Sequence, residues 1–175
     1  MTFNGQGTAA VDVDQSRDGA TGYFDTGSEY ADDVFENADT GFRCGYLNYG
    51  CAETSMPRDQ SLNDSVIGVA LWNFDALDIF IWYSLFQNDG VGAGNYAIAS
   101  HGSYAAWAGG FHVFNSIFEN SAVDDISIGD TTYFNFRNNY SMGSNQFIFA
   151  IGSLQCSQHH RRRQHNPRHD VLDIY

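Results

Sequence analysis

Residues 65–87, SVIGVALWNFDALDIFIWYSLFQ, form the longest apolar run of the chain, and only two charges, Asp75 and Asp78, interrupt it. As a transmembrane helix, this run would span a hydrocarbon core of roughly 30 Å. Both carboxylates would then lie near the bilayer centre, at a cost of about 2.5–3.5 kcal/mol each. No arginine or lysine flanks the run closely enough to anchor it at the interface. We therefore expect no membrane span.

Two alternatives remain for the same run. A soluble helix would be apolar on every side and rich in β-branched and aromatic residues, which lose side-chain freedom in helices. Two strands, over 65–72 and 77–86, would instead place the two charges in or beside a turn at 73–76. Apolar residues on both faces are typical of strands that are covered on both sides. We predict two buried strands.

The rest of the chain carries further strand signals. Residues 42–49 alternate in polarity, and 111–118 would place Phe111 and Val113 on one face and His112 and Phe114 on the other. In 124–153, DISI, Gly-Asp and TTYFNFR predict a hairpin, and QFIFAIGS a further antiparallel strand. No internal repeat of constant period is evident.

These signals predict a single all-β domain, an antiparallel sandwich or jelly roll. A chain of 175 residues can bury roughly two-thirds of its unfolded surface, so it can fold on an apolar core. We assign the β domain to residues 1–155, with an acidic, loop-rich excursion at 14–41. Residues 156–175 form a basic C-terminal arm.

The charge pattern is the most unusual feature of the composition. Lysine is absent, all eight basic residues are arginine, and 21 acids give a net charge of −13. Such a surface repels nucleic acid and anionic membranes over the main body of the protein. It is typical either of a biased genome or of adaptation to high salt, where charge repulsion is screened.

Cysteines and the N-terminus leave the cellular compartment open. Cys44 and Cys51 bracket a short loop, GYLNYG, which a disulfide could close, although two free thiols fit as well. Cys156 stands alone. The first residues lack the basic and apolar segments of a signal peptide, so we expect no export by that route.

One loop resembles a calcium-binding arrangement. Oxygen ligands at loop positions one, three and five, glycine at six and a carboxylate at twelve are the spacing that wraps a hard cation. A solvated acidic loop is the alternative, since position twelve is Asp rather than Glu and flanking helices are not evident. The candidate calcium ligands are Asp14, Ser16, Asp18, the Ala20 carbonyl and Asp25.

The C-terminal arm carries the remaining candidate site. Its arginines, Arg161, Arg162, Arg163 and Arg168, would bind the acidic surface of a neighbouring subunit or a polyanion. The same arginines disfavour zinc at Cys156 and the nearby histidines. Neither Asp75 with Asp78 nor His101 with Ser103 lies in a recognisable catalytic frame, and we predict no catalytic residues.

The sequence therefore indicates a structural protein rather than an enzyme. We expect a self-assembling subunit, a homo-oligomer or a partner of other structural subunits, in a virion (capsid, decoration or tail) or another extracellular assembly, from a saline habitat in one interpretation. A calcium-dependent carbohydrate- or cell-surface-binding module is the alternative. Apart from that calcium, no cofactor is expected.

Overall fold

The computed structural model describes residues 1–5, 7–13, 25–44, 51–73, 79–97, 108–129 and 131–151. Within these ranges the regular structure consists of eighteen β-strands. They are β1 (Thr2–Asn4), β2 (Ala9–Val13), β3 (Asp25–Thr26), β4 (Val34–Glu36), β5 (Thr40–Cys44), β6 (Cys51–Ala52), β7 (Thr54–Pro57), β8 (Gln60–Leu62), β9 (Ile67–Asn73), β10 (Ile79–Trp82), β11 (Leu85–Gln87), β12 (Val91–Ala97), β13 (Ala108–Phe114), β14 (Ile117–Glu119), β15 (Asp124–Gly129), β16 (Thr131–Arg137), β17 (Tyr140–Met142) and β18 (Gln146–Ile151).

Sixteen of these strands form three sheets in which every pairing is parallel. Sheet 1 has the order β16-β13-β10-β7, sheet 2 β1-β4-β8-β11-β14-β17 and sheet 3 β18-β15-β12-β9-β5-β2. The chain passes through sheets 1, 2 and 3 in turn and then begins again, so β7–β8–β9 is one coil and β10–β11–β12 the next. The fold is a parallel β-solenoid, in which each coil packs on its neighbours.

The prediction of an antiparallel sandwich or jelly roll is therefore wrong, although the all-β class is right. The predicted hairpin at 124–137 shows why. β15 and β16 follow each other in sequence, yet β15 lies in sheet 3 and β16 in sheet 1. Their partners lie one coil away, Asp124 opposite Gln146 and Phe111 opposite Phe134. A solenoid corner and a hairpin turn use the same turn residues, so local sequence does not distinguish them.

The central run 65–87 does form strands, as predicted. It contains β9, β10 and β11, and a corner at Tyr83 adds a break that the sequence did not indicate. Asp75 and Asp78 lie outside the described residues. Among the described residues, no helix is long and apolar enough to cross a membrane. Part of the predicted acidic excursion is also strand, since β4 and the first residues of β5 lie within it.

The core is a set of columns, because residues in register lie one strand spacing apart, roughly 4.8 Å. In sheet 2 the inward column runs through Phe35, Ser61, Phe86 and Phe118. The rings of Phe86 and Phe118 are parallel, with centroids 4.7 Å apart. The largest other buried side chains are Phe42, Met56, Val69, Leu71, Ile79, Ile81, Phe111, Ile126, Ile128 and Phe136.

The corners between sheets use left-handed backbone, which asparagine tolerates better than most residues. Between sheets 1 and 2 the positive-φ residues are Asp32, Arg58, Tyr83, Asn115 and Asn138. Between sheets 2 and 3 they are Asn37, Asn63, Asn88, Asn120 and Gly143. The corners therefore repeat from coil to coil, which keeps the three sheets in register.

Candidate functional site

The outer surface of sheet 1 carries five ring-bearing side chains. Along β10, Ile79 and Ile81 are fully buried in the core, so the alternate residues face outward. β13 repeats this alternation with Phe111 and Val113 inside. The outward residues, here called the aromatic face, are Phe80, Trp82, His112, Phe114 and Tyr133.

Parallel register brings these rings together. Phe80 pairs with His112 and Trp82 with Phe114 across adjacent coils. The Phe80 and His112 rings stack at a centroid distance of 4.5 Å and an angle of 11°. Trp82 contacts Phe80 edge-on at 6.0 Å, and His112 lies 6.0 Å from Phe114 and 5.4 Å from Tyr133. The rings form one continuous surface over three coils.

The outer parts of this surface are open to solvent. Tyr133 is 43% exposed, and Phe80, Trp82 and Phe114 are partly exposed. His112 is only 8% exposed, and its Nε2 is buried. The imidazole of His112 is therefore largely covered, and Phe80 stacks on it. Tyr83, at the adjoining corner, is 64% exposed.

Polar groups border the rings. Ser55 lies in register with Phe80, Asn135 with His112, and Arg137 with Phe114. The Arg137 Nε–H donates to Asn135 Oδ1 at 3.1 Å. The aromatic face therefore offers flat apolar surface for stacking beside groups that hydrogen-bond hydroxyls.

Four aspartates are buried, three of them at corners and Asp125 near the start of β15. Asp59, Asp64, Asp89 and Asp125 are each at most 4% exposed. Within the described part of the chain, ion pairs join Arg43 to Asp12, Arg58 to Asp32 and the Met1 amino group to Asp33, and none reaches these four carboxyls. The hydrogen bonds that they accept from described residues all come from neutral donors.

At the corner between sheets 1 and 2, Asp59 Oδ1 accepts the backbone N–H of Asp33 at 2.9 Å. Burial raises the pKa of Asp59 to about 7, more than this hydrogen bond lowers it. Its other oxygen, Oδ2, is buried and has no hydrogen-bond partner among the described residues. This geometry favours the protonated carboxyl.

At the corner between sheets 2 and 3, the same arrangement recurs. Asp64 Oδ1 accepts the N–H of Ala38 at 2.9 Å, and Asp89 Oδ1 accepts the N–H of Asp64 at 2.9 Å. Ser61 Oγ donates to Asp64 Oδ2 at 2.9 Å. Burial raises the pKa of Asp64 to about 6 and that of Asp89 to about 7.

The fourth of these buried aspartates, Asp125, lies in β15. Its Oδ2 accepts hydrogen bonds from the hydroxyls of Ser141 and Ser144. Burial raises its pKa, against the effect of these donors. The described residues contain no group of three or more His, Cys, Asp or Glu side chains placed to hold a metal ion. Asp59, Asp64 and Asp89 thus cap backbone N–H groups of the corners, and Asp125 accepts from serine hydroxyls instead.

Most of the site residues predicted from sequence lie outside the described ranges. Asp14, Ser16, Asp18 and Ala20 of the calcium loop do so, as do Arg161, Arg162, Arg163 and Arg168 of the arm. The backbone of Asp25 is in β3, but its side chain is not described. The calcium site and the arm therefore stay predictions.

The predicted disulfide is only partly visible. Cys44 is fully buried and disulfide-bonded. The side chains of Cys51 and Cys156 are not among those described. The pairing of Cys44 with Cys51 therefore stays a prediction. Cys51 begins β6, which follows β5 in the chain and pairs with β3.

Comparison with known proteins does not assign the chain to a family. No family model matches its sequence, and no similar curated protein or solved structure is found. The sequence does not indicate the aromatic face, because aromatic residues in apolar runs usually enter the core. The alternation within 111–114 was the signal that could have placed His112 and Phe114 outside.

Proposed function

We propose that the protein binds extended carbohydrate chains, with the aromatic face as the platform. One observation above all supports this proposal: parallel register aligns the five rings of the aromatic face on the outer surface of sheet 1. Large exposed apolar patches mark interaction sites in proteins. Here the patch is made of rings rather than of aliphatic side chains, which favours a ligand that stacks.

A sugar ring matches that chemistry. One face of a pyranose carries C–H groups, which are attracted to the negative face of an aromatic ring. Its edge carries hydroxyls, which would pair with Ser55, Asn135 and Arg137 at the border of the face. The surface continues over several coils, which suits a chain of sugars better than a single one.

The binding experiment uses the full chain on a glycan array, followed by titration of the best ligand with isothermal titration calorimetry as the readout. Trp82→Ala and Tyr133→Ala should each weaken binding roughly tenfold, the equivalent of about 1.4 kcal/mol. Tyr140→Ala, on the outer surface of sheet 2, is the matched control and should bind like the parent. A chelator arm tests whether the predicted calcium loop contributes.

Two results would contradict carbohydrate binding at this face. One is an array without any bound glycan, and the other is unchanged affinity after Trp82→Ala and Tyr133→Ala. Circular dichroism of each variant separates lost binding from lost fold.

Assembly into a larger structure is the second proposed function, as a structural subunit of a virion or another extracellular assembly. It is supported by the last coil, β16–β17–β18, whose outer edge pairs with no further strand among the described residues. Unpaired strand edges readily pair with another copy. Phe149 and Met142 on this coil are 41% and 46% exposed.

Light scattering at low and high salt tests this second proposal. We expect oligomers that grow with protein concentration and are reduced by Phe149→Lys. Val66→Lys, at an exposed corner of an interior coil, is the control and should leave the oligomer unchanged. A monomer under all salt conditions would exclude assembly of the chain with itself.

A further inference from the structure

A ladder of asparagine amides runs along the outside of the corner between sheets 2 and 3. Asn120 Nδ2 donates to Asn88 Oδ1 at 3.3 Å, and Asn88 Nδ2 donates to Asn63 Oδ1 at 3.1 Å. The ladder ends at Asn63. Its own Nδ2 has no hydrogen-bond partner among the described residues, although Asn37 occupies the same corner one coil earlier. Asn63 is therefore anchored through its oxygen and open at its nitrogen.

The sequence singles out the same residue. Asn63 is followed by Asp64 and Ser65, which makes the N-x-Ser acceptor motif for attachment of glycans to asparagine. The other two ladder asparagines are followed by Asp-Gly and Ser-Ala and lack the motif. Asn63 and Ser65 are both exposed, and the carboxyl of Asp64 between them points into the protein.

The only other N-x-Ser/Thr motif in the chain begins at Asn139, and the structure closes that site. Asn139 is 4% exposed. Its Oδ1 accepts the N–H of Ser116 at 2.9 Å, and its Nδ2 donates to the carbonyl of Val113 at 2.9 Å. Both amide atoms of Asn139 form hydrogen bonds inside the fold. The amide nitrogen of Asn63 is therefore accessible to a modifying enzyme, and that of Asn139 is not.

We propose that Asn63 is an N-glycosylation site whose donor is a lipid-linked oligosaccharide pyrophosphate. In that transfer, Asn63 Nδ2 bonds to the anomeric carbon of the first sugar. The bond from that carbon to the pyrophosphate oxygen breaks, its electron pair leaves with the lipid pyrophosphate, and Nδ2 releases one proton. The corner between sheets 2 and 3 is separate from sheet 1, so the glycan leaves the aromatic face accessible.

The test incubates the folded, full-length chain with a purified oligosaccharyltransferase and lipid-linked oligosaccharide, and then measures intact mass and maps modified peptides. The expected result is one glycan per chain, located at Asn63. Ser65→Ala should abolish the mass increase while keeping the Asn63 amide and its bond to Asn88. Ser65→Thr should restore it.

A folded chain that gains no mass, while a control acceptor protein is modified in the same reaction, would overturn the proposal. A glycan mapped to Asn139 rather than Asn63 would also overturn it. Both readouts are independent of carbohydrate binding at sheet 1.

Discussion

The backbone N–H of Asp33 donates to Oδ1 of Asp59, 26 residues later in the chain, at 2.9 Å. The next coils repeat this relationship: the N–H of Asp59 donates to Ser84 Oγ, and that of Ser84 to Ser116 Oγ. The column ends where the N–H of Ser116 donates to Asn139 Oδ1. Each buried N–H left without an acceptor would cost about 1–3 kcal/mol, so this column of side-chain oxygens stabilises the stacking of coils.

Asp59→Asn should stabilise the protein at pH 8. Asp59 uses one oxygen as acceptor and leaves Oδ2 buried without a partner among the described residues, with a pKa raised to about 7 by burial. Asn139 shows that an amide at this position can accept and donate at once. We expect a gain on the order of 1 kcal/mol in the free energy of unfolding at pH 8. The gain should be smaller at pH 5, where the folded carboxyl is still protonated.

Urea denaturation of parent and variant at the two pH values measures this difference. The reciprocal change, Asn139→Asp, is the control and should destabilise the protein, more at pH 8 than at pH 5. A loss of stability in Asp59→Asn at pH 8 would show that the ionised carboxylate has a partner that stabilises it.

The whole protein should become less stable as pH rises from about 4 to about 7. The pKa of Asp59, Asp64 and Asp89 is about 7, about 6 and about 7 in the folded protein, against an ordinary value of 3.8. Between pH 3.8 and about pH 7, the folded chain binds more protons than the unfolded chain. Raising the pH through this range therefore favours unfolding. Repulsion within a chain of net charge −13 acts in the same direction.

Thermal unfolding at constant ionic strength, in steps from pH 4.5 to pH 8.5, measures this dependence. The triple variant with Asn at 59, 64 and 89 should show a flatter profile. A melting temperature that rises with pH across this window would contradict protonated carboxyls in the corners.

Much of the local structure could be predicted from the sequence, but the topology could not. The strands of 65–87 and the alternation along 111–114 follow from polarity patterns. Pairing partners, however, lie 26, 25, 32 and 23 residues apart in successive coils. Because the coil length varies, a search for a repeat of constant period does not detect it. The recurring signal was the corner asparagine at 37, 63, 88 and 120.

The candidate site was harder to predict than the fold, for physical reasons. Trp82 and Phe80 occur in the most apolar run, where aromatic residues usually enter the core. The burial of Ile79 and Ile81 shows that the column of Phe80 and Trp82 is the outer one. Aspartates are usually expected at the surface, but Asp59, Asp64 and Asp89 are buried. Each of them caps a backbone N–H of a corner.

High salt should stabilise the folded chain. The many surface carboxylates repel one another, and salt at 1 M reduces the range of that repulsion to roughly 3 Å. We expect the melting temperature at pH 7.5 to rise between 0.1 M and 2 M KCl. A maximum at low salt would count against adaptation to a saline habitat.

Phe118→Ala should destabilise the protein by about 3–5 kcal/mol. Phe118 is fully buried, stacks on Phe86 at 4.7 Å and meets Phe147 edge-on at 6.0 Å, so it links three coils. Ile117→Ala, at a neighbouring residue that is 42% exposed, is the control and should cost much less. Chemical denaturation of both variants gives the comparison. Equal losses would show that the outer surface of sheet 2 is covered in solution.

Gly68→Ala should be among the most damaging small substitutions in the chain. A Cβ at Gly68 would overlap Ser61 Oγ and would lie 2.5 Å from Asp89 Oδ2 and 2.7 Å from the backbone oxygen of Gly92. The side chains could rotate away only by giving up hydrogen bonds of the corner, and the Gly92 oxygen belongs to the next coil. We expect a loss of about 1–3 kcal/mol, the usual cost of overpacking.

Gly7→Ala is the matched control for this substitution, because a Cβ at Gly7 would meet no atom within 4 Å. It should change the free energy of unfolding by less than about 0.5 kcal/mol. Urea denaturation of both variants at pH 5, where the corner carboxyls are protonated, isolates the steric effect from charge. Equal stability of Gly68→Ala and Gly7→Ala would contradict this prediction. It would mean that a methyl group fits at Gly68 despite the close approach of Ser61, Asp89 and Gly92.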